Sequence, residues 1–203
     1  GMLDADAQGE PFFGADRRAD GTATAHHALE IGIPHVTGRA LDIVYGIQHA
    51  TGETIDPIIE DIYLSYLYSC CDLEDHLPVY FDPARDGKPF VEFHNLRECL
   101  EALVWRIRLK GDDRARRVAD GMIGSLLALT NPATRSLDAG SLDGLSPDKA
   151  EKFERIGIPL TMTQGRLVGP LALYYEQTAD LRALTLAGWY AEETLARCFE
   201  DSG

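Results

Sequence analysis

The chain has 203 residues, enough for one sizeable domain that buries roughly 70% of its unfolded surface. Its 45% apolar and 26% charged content is that of a soluble globular protein, and no run approaches the ~18 uninterrupted apolar residues of a membrane span. A formal net charge of -14 with no basic run to offset it excludes nucleic acid and anionic membranes as partners; the start of the chain has no signal-like pattern, which predicts a cytoplasmic protein.

Residues 1–36, rich in Gly, Pro and His, predict an irregular N-terminal arm with Phe12 and Phe13 as anchors, ahead of a helical domain over 37–203. The run "IGIPHVTGRAL" at Ile31 then opens a helix near Gly38 to Ala50. Leu41, Val44 and Tyr45 share one face of it, and Ile43 and Ile47 lie elsewhere on the circumference, which predicts burial on more than one side. Gly52 suits a left-handed position past the helix end, and Thr54 suits the N-cap of the next helix. That helix places Ile55, Ile58, Ile59, Ile62 and Tyr66 at core spacing. Beyond it, "PVYF" and "PFVEF" flank a Pro and an Asp-Gly turn, which predicts a short β-ribbon inside a long loop.

A third helix follows "FVEFHN", with Leu100, Leu103, Val104 and Ile107 on one face and an Asn95/Glu98 capping-box pattern at its start. Gly111 and Asp112 or Asp113 repeat the helix-stop and helix-start signals, and Ala115, Val118, Ala119, Met122 and Leu126 mark a fourth helix. The next stretch, from Asn131 to Leu160, reads mostly as loop, with a short helix opened by Ser146 and Pro147. Ile-Gly-Ile-Pro returns at Ile156, followed by a second capping-box pattern at Thr161/Gln164. Val168, Leu171, Ala172 and Tyr175 then mark a fifth helix, and Leu184, Ala187, Ala191, Leu195 and Cys198 a sixth.

The short joints "ATGETID", "LKGDDRA" and "QTADLRA" predict antiparallel αα-hairpins. Gly52 and Gly111 are 59 residues apart, and Gly111 and Ala179 are 68 apart. Gly38-Arg39 and Gly165-Arg166 are 127 apart, so the two Ile-Gly-Ile-Pro runs fall in register two hairpins apart. At the 59-residue shift His35 falls on His94. The expected fold is therefore all-α, with three consecutive αα-hairpins. Short joints at one end and long connections at the other give two unlike faces, and function usually sits on the long-loop side.

The segments "NLRECLEALVWRIRLKGDDRARRVADGMIGSLLALT" and "GRLVGPLALYYEQTADLRALTLAGWYAEETLARCF" resemble successive hairpins of an (α/α) toroid, the six-hairpin glycosidase superfamily with its related polysaccharide lyases and sugar epimerases. The likeness covers about Thr37 to Glu200. It implies half of an (α/α)6-type ring, since that superfamily closes with six hairpins, and a carbohydrate or other small polar ligand. The activity it implies is glycoside-hydrolase-like, with lyase or epimerase action behind it. The other reading is a non-catalytic helical-repeat scaffold that binds a partner, or itself as a homo-oligomer, through an exposed hairpin edge.

Candidate site residues follow from the repeat. His35 and His94 occupy matching places on adjacent helices and suit proton transfer near neutral pH; Glu92 is the carboxylate taken as their companion. Arg39, Arg97 and Arg166 lie in the first turns of the inner helices, where the macrodipole disfavours cations, so three such placements ask for an anion. Gln164 and Tyr80 are taken as further substrate contacts, Tyr80 as a ring that stacks on sugar. A glycosidase needs two carboxyl groups, and Glu30, Asp138 and Asp143 share the long-loop rim with Glu92. No His/Asp/Glu trio has metal-ligand spacing along the chain, and the four cysteines match neither a zinc site nor a disulfide framework. No metal or cofactor is expected.

Overall fold

The computed structural model describes residues 3–4, 10–12, 14–26, 32–72, 74–78, 80–81, 89–91, 93–137 and 164–199. The described fold is all-α with short β-ribbons. Six helices pair into three hairpins: α1 (Gly32–Thr51) with α2 (Pro57–Cys70), α3 (Phe93–Lys110) with α4 (Asp113–Leu129), and α5 (Val168–Thr178) with α6 (Leu181–Phe199). A 3-10 turn, Gln164–Leu167, leads into α5. Helix α3 packs against both α1 and α5, and these three form the inner layer; α2, α4 and α6 pack as its outer partners.

The joints follow the expected chemistry. Gly52 and Gly111 adopt positive φ just past α1 and α3, and Asp112 caps α4 by accepting from the backbone N–H groups of Arg114 and Ala115. The third joint puts Ala179 in the same left-handed conformation (φ 57°). The cap of α2 is Asp56 rather than Thr54: its carboxylate accepts from Ile58 N–H at 2.8 Å, with Pro57 at the first helical position.

Helix α1 begins at Gly32, six residues before the expected start, so Gly32, Ile33 and Pro34 of the first Ile-Gly-Ile-Pro belong to its first turn. Pro34 is tolerated there because first-turn N–H groups have no intrahelical acceptor. The second copy, at 156–159, lies outside the described residues, as does the expected short helix at Ser146. In the arm, Gly14–Arg17 pairs antiparallel with Ala23–His26 about a turn at Arg18–Thr22, so this stretch is a regular hairpin. Leu3–Asp4 pairs with Glu10–Pro11. The expected ribbon is present as Tyr80–Phe81 against Pro89–Phe90, and a further one joins Thr130–Asn131 to Ser136–Leu137.

The core runs through the inner layer: Leu41, Tyr45, Leu96, Leu100, Leu103, Leu171 and Tyr174, closed from outside by Leu67, Met122, Ile123, Leu126, Leu186 and Tyr190. Cys70, Cys71 and Cys99 are buried free thiols. The core faces of α2 and α6 are rotated from the expected ones. Helix α2 buries Tyr63, Leu64, Leu67 and Tyr68 and leaves Ile58 70% exposed; α6 buries Ala183, Leu186, Ala187 and Tyr190 and exposes Leu184 and Leu195. Ile43 and Ile47, expected to be buried on a second side of α1, are 54% and 52% exposed. All of these exposed side chains belong to the first and last of the described hairpins, each of which packs against the middle hairpin from one side.

Candidate functional site

The inner helices run parallel, so their N-terminal ends lie together. His35 comes from the start of α1, His94 is the second residue of α3, and Arg166 stands in the 3-10 turn before α5. The two imidazoles meet edge to face with ring centroids 5.4 Å apart. Arg166 Nη1 donates to His94 Nδ1 across 3.2 Å, which places that ring's proton on Nε2. Arg166 thus ties the third hairpin to the second.

Glu98 of α3 is the hub. Its side chain is buried, and its Oε1 accepts from Arg97 Nη1 at 2.9 Å, lies 3.5 Å from Arg39 Nη2 and 4.0 Å from His35 Nδ1. Arg97 also reaches Glu101 Oε2 with its Nη2 at 3.1 Å, and so bridges two carboxyl groups one turn apart. Behind them Asp42 of α1 accepts from Trp105 Nε1 at 2.8 Å. Gly38 permits this geometry, because its missing Cβ lets α1 approach the α3 backbone at Glu98 and Cys99.

Burial and crowded charge set the protonation states. Burial, followed by repulsion from Arg39, His94, Arg166 and Arg97, lowers His35 to about 4. Burial, then Arg166, Arg39 and Arg97, lowers His94 to about 4 as well. Both rings are neutral at pH 7. For Glu98, burial raises the carboxyl against the opposite pull of Arg97 and Arg39. Burial also lifts Glu101 to about 7, Arg97 again opposing. The Arg166 guanidinium is lowered by burial and by the charges of Arg97 and Arg39.

The sequence spacing did not foresee a ligand set that arises through space. Donor atoms of His35, His94 and Glu98 all lie within 4.8 Å of one another, as do those of Asp42, Glu98 and Glu101. Two neutral imidazoles and a carboxylate have the composition of a zinc site. Arg39 and Arg97 sit on the same carboxylate oxygen, however, and Arg166 sits on His94, so a divalent ion would enter a field of three guanidinium charges.

Five of the candidate residues therefore converge: His35, Arg39, His94, Arg97 and Arg166. Gln164 does not join them. It is buried, accepts from Leu137 N–H at 2.8 Å and donates to Glu193 Oε2 at 2.7 Å, so it fastens a β-ribbon to α6. Tyr80 lies in the ribbon strand Tyr80–Phe81, with its side chain outside what is described; Glu92, Glu30, Asp138 and Asp143 lie outside the described residues. Asn95 forms no capping box with Glu98, because α3 begins two residues before it. Glu98, Glu101 and Asp42 are the site groups that sequence reasoning missed; the i, i+3 spacing of Glu98 and Glu101, on the same face as His94 and Arg97, was the available signal.

Compared with protein-family models, curated proteins and solved structures, the chain matches none.

Proposed function

We propose that the protein is carbohydrate-active and glycoside-hydrolase-like, an (α/α)-toroid half-ring that binds its substrate across the N-terminal ends of α1, α3 and α5. One observation carries the reading: His35, Arg39, His94, Arg97 and Arg166, drawn from three hairpins, gather around the single carboxyl group of Glu98. Convergence of polar groups from successive repeats at the long-loop end supports a ligand site rather than a set of local caps. In this reading the arginines hold polar substituents of the sugar, and His94, the less buried of the two neutral imidazoles, offers its Nε2–H as a hydrogen-bond donor to the substrate. Glu101, held near neutrality by burial, suits the acid of a carboxyl pair, with Glu92 as its companion. The protein acts in the cytoplasm without metal or cofactor.

The test is a panel of neutral and acidic oligosaccharides, read by thermal shift and by release of reducing ends, with His94→Gln as control. Binding by at least one saccharide, with cleavage lost in His94→Gln, is the expected result. A panel in which no saccharide of any charge raises the melting temperature, and none is cut, overturns the reading.

The exposed Ile43, Ile47 and Ile58 of the first hairpin and Leu181, Leu184 and Leu195 of the last favour a second reading, a helical-repeat scaffold that associates through its hairpin edges. A stable dimer in solution, lost on Ile47→Glu and accompanied by no saccharide binding, would select it.

A further inference from the structure

Helix α1 is packed by α2 and α3 and is met by the strands Glu10–Pro11 and Tyr80–Phe81, yet one flank of it stays open. That flank carries Arg39, Ile43, Gly46, Ile47 and Ala50, which the helical period puts on one face, opposite to the buried Leu41 and Tyr45 in the core. Ile43 and Ile47 are more than half exposed, and Arg39 is 46% exposed. A Cβ built on Gly46 would meet no atom within 4 Å, so the flank is open at its middle as well. Ile58 and Ile59, at the start of α2, add exposed apolar surface at the joint end of the same hairpin. Contiguous apolar surface of this kind marks a contact with another molecule.

The charges along the flank select the occupant. From Ile43 to Ala50 the chain holds no Asp, Glu, Lys or Arg, so two copies with a net charge of -14 meet here without facing like charges. Arg39 stands at the N-terminal end of this stretch. At the other end lie the negative pole of α1 and, just past it, the exposed Glu53. Turned antiparallel on itself, the flank sets Ile43 on Ile47 of the second copy and brings Gly46 close to the twofold axis. The same turn sets Arg39 on Thr51 and Glu53 at both ends. The edge of α6 lacks this property: Glu192, paired with Arg135, lies on the same face between Leu184 and Leu195 and breaks the apolar stripe with charge.

We propose that the protein forms a twofold dimer in which α1 packs antiparallel against α1 of a second copy. The contact is isologous and closes at two chains, unlike a first-on-last hairpin contact, which leaves an edge free at each end unless it forms a ring. Gly46 lets the two helix axes approach at the crossing. The paired stretch from Arg39 to Glu53 is only roughly 20 Å long, so the dimer is small and dissociates on dilution. Arg39 also stands 3.5 Å from Glu98, so the interface and the inner-helix site share one side chain. The inference deepens the edge association of the second reading and rests on it, and it is independent of what the inner-helix site binds.

The experiment is sedimentation equilibrium of the full chain from ~1 μM to ~300 μM, with urea unfolding of every variant at the dilute end. The variants are Ile47→Glu, Gly46→Leu, Glu53→Arg, Leu184→Glu and the double exchange Arg39→Glu with Glu53→Arg. Expected is a dimer weakened at least ~10-fold by Ile47→Glu and by Gly46→Leu, the latter with an unchanged or higher urea midpoint because leucine suits a helix better than glycine. Glu53→Arg should weaken the dimer and the double exchange restore it, while Leu184→Glu leaves it intact. A monomer at every concentration, or a dimer that Ile47→Glu and Gly46→Leu leave unchanged, overturns the proposal. Equal losses in Leu184→Glu and Ile47→Glu mean that the first hairpin seats on the last, which also overturns it, and a double exchange that restores nothing overturns the antiparallel register. Saccharide binding by a chain that stays monomeric removes the dimer and leaves the carbohydrate reading in place.

Discussion

Gly38 of α1 stands against the backbone of Glu98 of α3: a Cβ on Gly38 would lie 2.5 Å from the Glu98 carbonyl carbon and 2.7 Å from its oxygen. That distance is below any van der Waals contact, and backbone cannot rotate away as a side chain can. The close approach carries Arg39, the next residue, to within 3.5 Å of the Glu98 carboxylate. Gly38→Ala is therefore expected to destabilise the fold by about 1–3 kcal/mol through overpacking and to weaken ligand binding by displacing Arg39. Urea unfolding checks the first effect; a variant as stable as the parent removes the claim that the α1–α3 crossing depends on a missing side chain.

At the opposite end of the same helices, Arg106 of α3 joins two hairpins. Its Nη1 donates to Glu60 at 2.5 Å and its Nε to Asp112 at 2.9 Å, and Tyr45 OH donates to the same Glu60 oxygen at 2.8 Å. Removing the cation leaves Glu60, a buried carboxylate, with a phenol alone. Arg106→Ala should cost about 2–4 kcal/mol, because a buried charge left unpaired is penalised more than the pair was worth. The exposed pair of Arg135 and Glu192 is the comparison: Glu192→Ala should change stability by no more than about 0.5 kcal/mol. Equal effects from the two substitutions would contradict this account of the clasp.

The repeat was legible in the chain because hairpin joints are written locally. Gly52 and Gly111 carry the left-handed turn in their identity, and the 59-residue register that pairs His35 with His94 brings their rings to 5.4 Å. What the sequence concealed depended on neighbours. The apolar stripes of α2 and α6 were assigned the wrong phase because Ile58, Leu184 and Leu195 look like core residues and belong to end hairpins, where there is less to pack against. Glu98 resembles half of a capping box and is instead the hub of the site, a role that only the approach of α1 creates. Gln164 shows the converse: a polar residue at the right end of an inner helix whose hydrogen bonds are already taken by Leu137 and Glu193.

Ala179 occupies the position that Gly52 and Gly111 fill in the other two joints, with φ 57° and ψ 24°. A Cβ in the left-handed region costs roughly 1–2 kcal/mol, offset in part by the extra unfolded-state freedom that glycine brings. Ala179→Gly should thus stabilise the chain by about 0.5–1 kcal/mol, read as a higher urea midpoint with an unchanged slope. A lower midpoint would mean that the third joint is held by contacts of the alanine methyl and not by its backbone.

Acid should weaken the fold through the two histidines, and the sign can be worked out group by group. Both have an ordinary value of 6.5 and are lowered to about 4 in the folded chain, chiefly by burial. Between those values the unfolded chain takes up protons that the folded chain refuses, so stability falls as the pH drops from 6.5 toward 4. Each ring contributes up to about 1.4 kcal/mol per pH unit inside that window. Glu101 acts in the opposite sense. Raised from 4.5 to about 7, it keeps its proton when folded, so its contribution is present below 4.5 and is lost as the pH rises through 7. Glu98, also raised, opposes the histidines in the same way. Glu101→Gln removes one opposing group, and its stability should therefore fall more steeply between pH 6.5 and 4.5 than that of the parent, whereas His94→Gln should fall less steeply. Urea unfolding at half-unit steps measures both slopes. If the two variants run parallel to the parent across that window, these side chains do not hold the protonation states on which the proposed chemistry of the site depends.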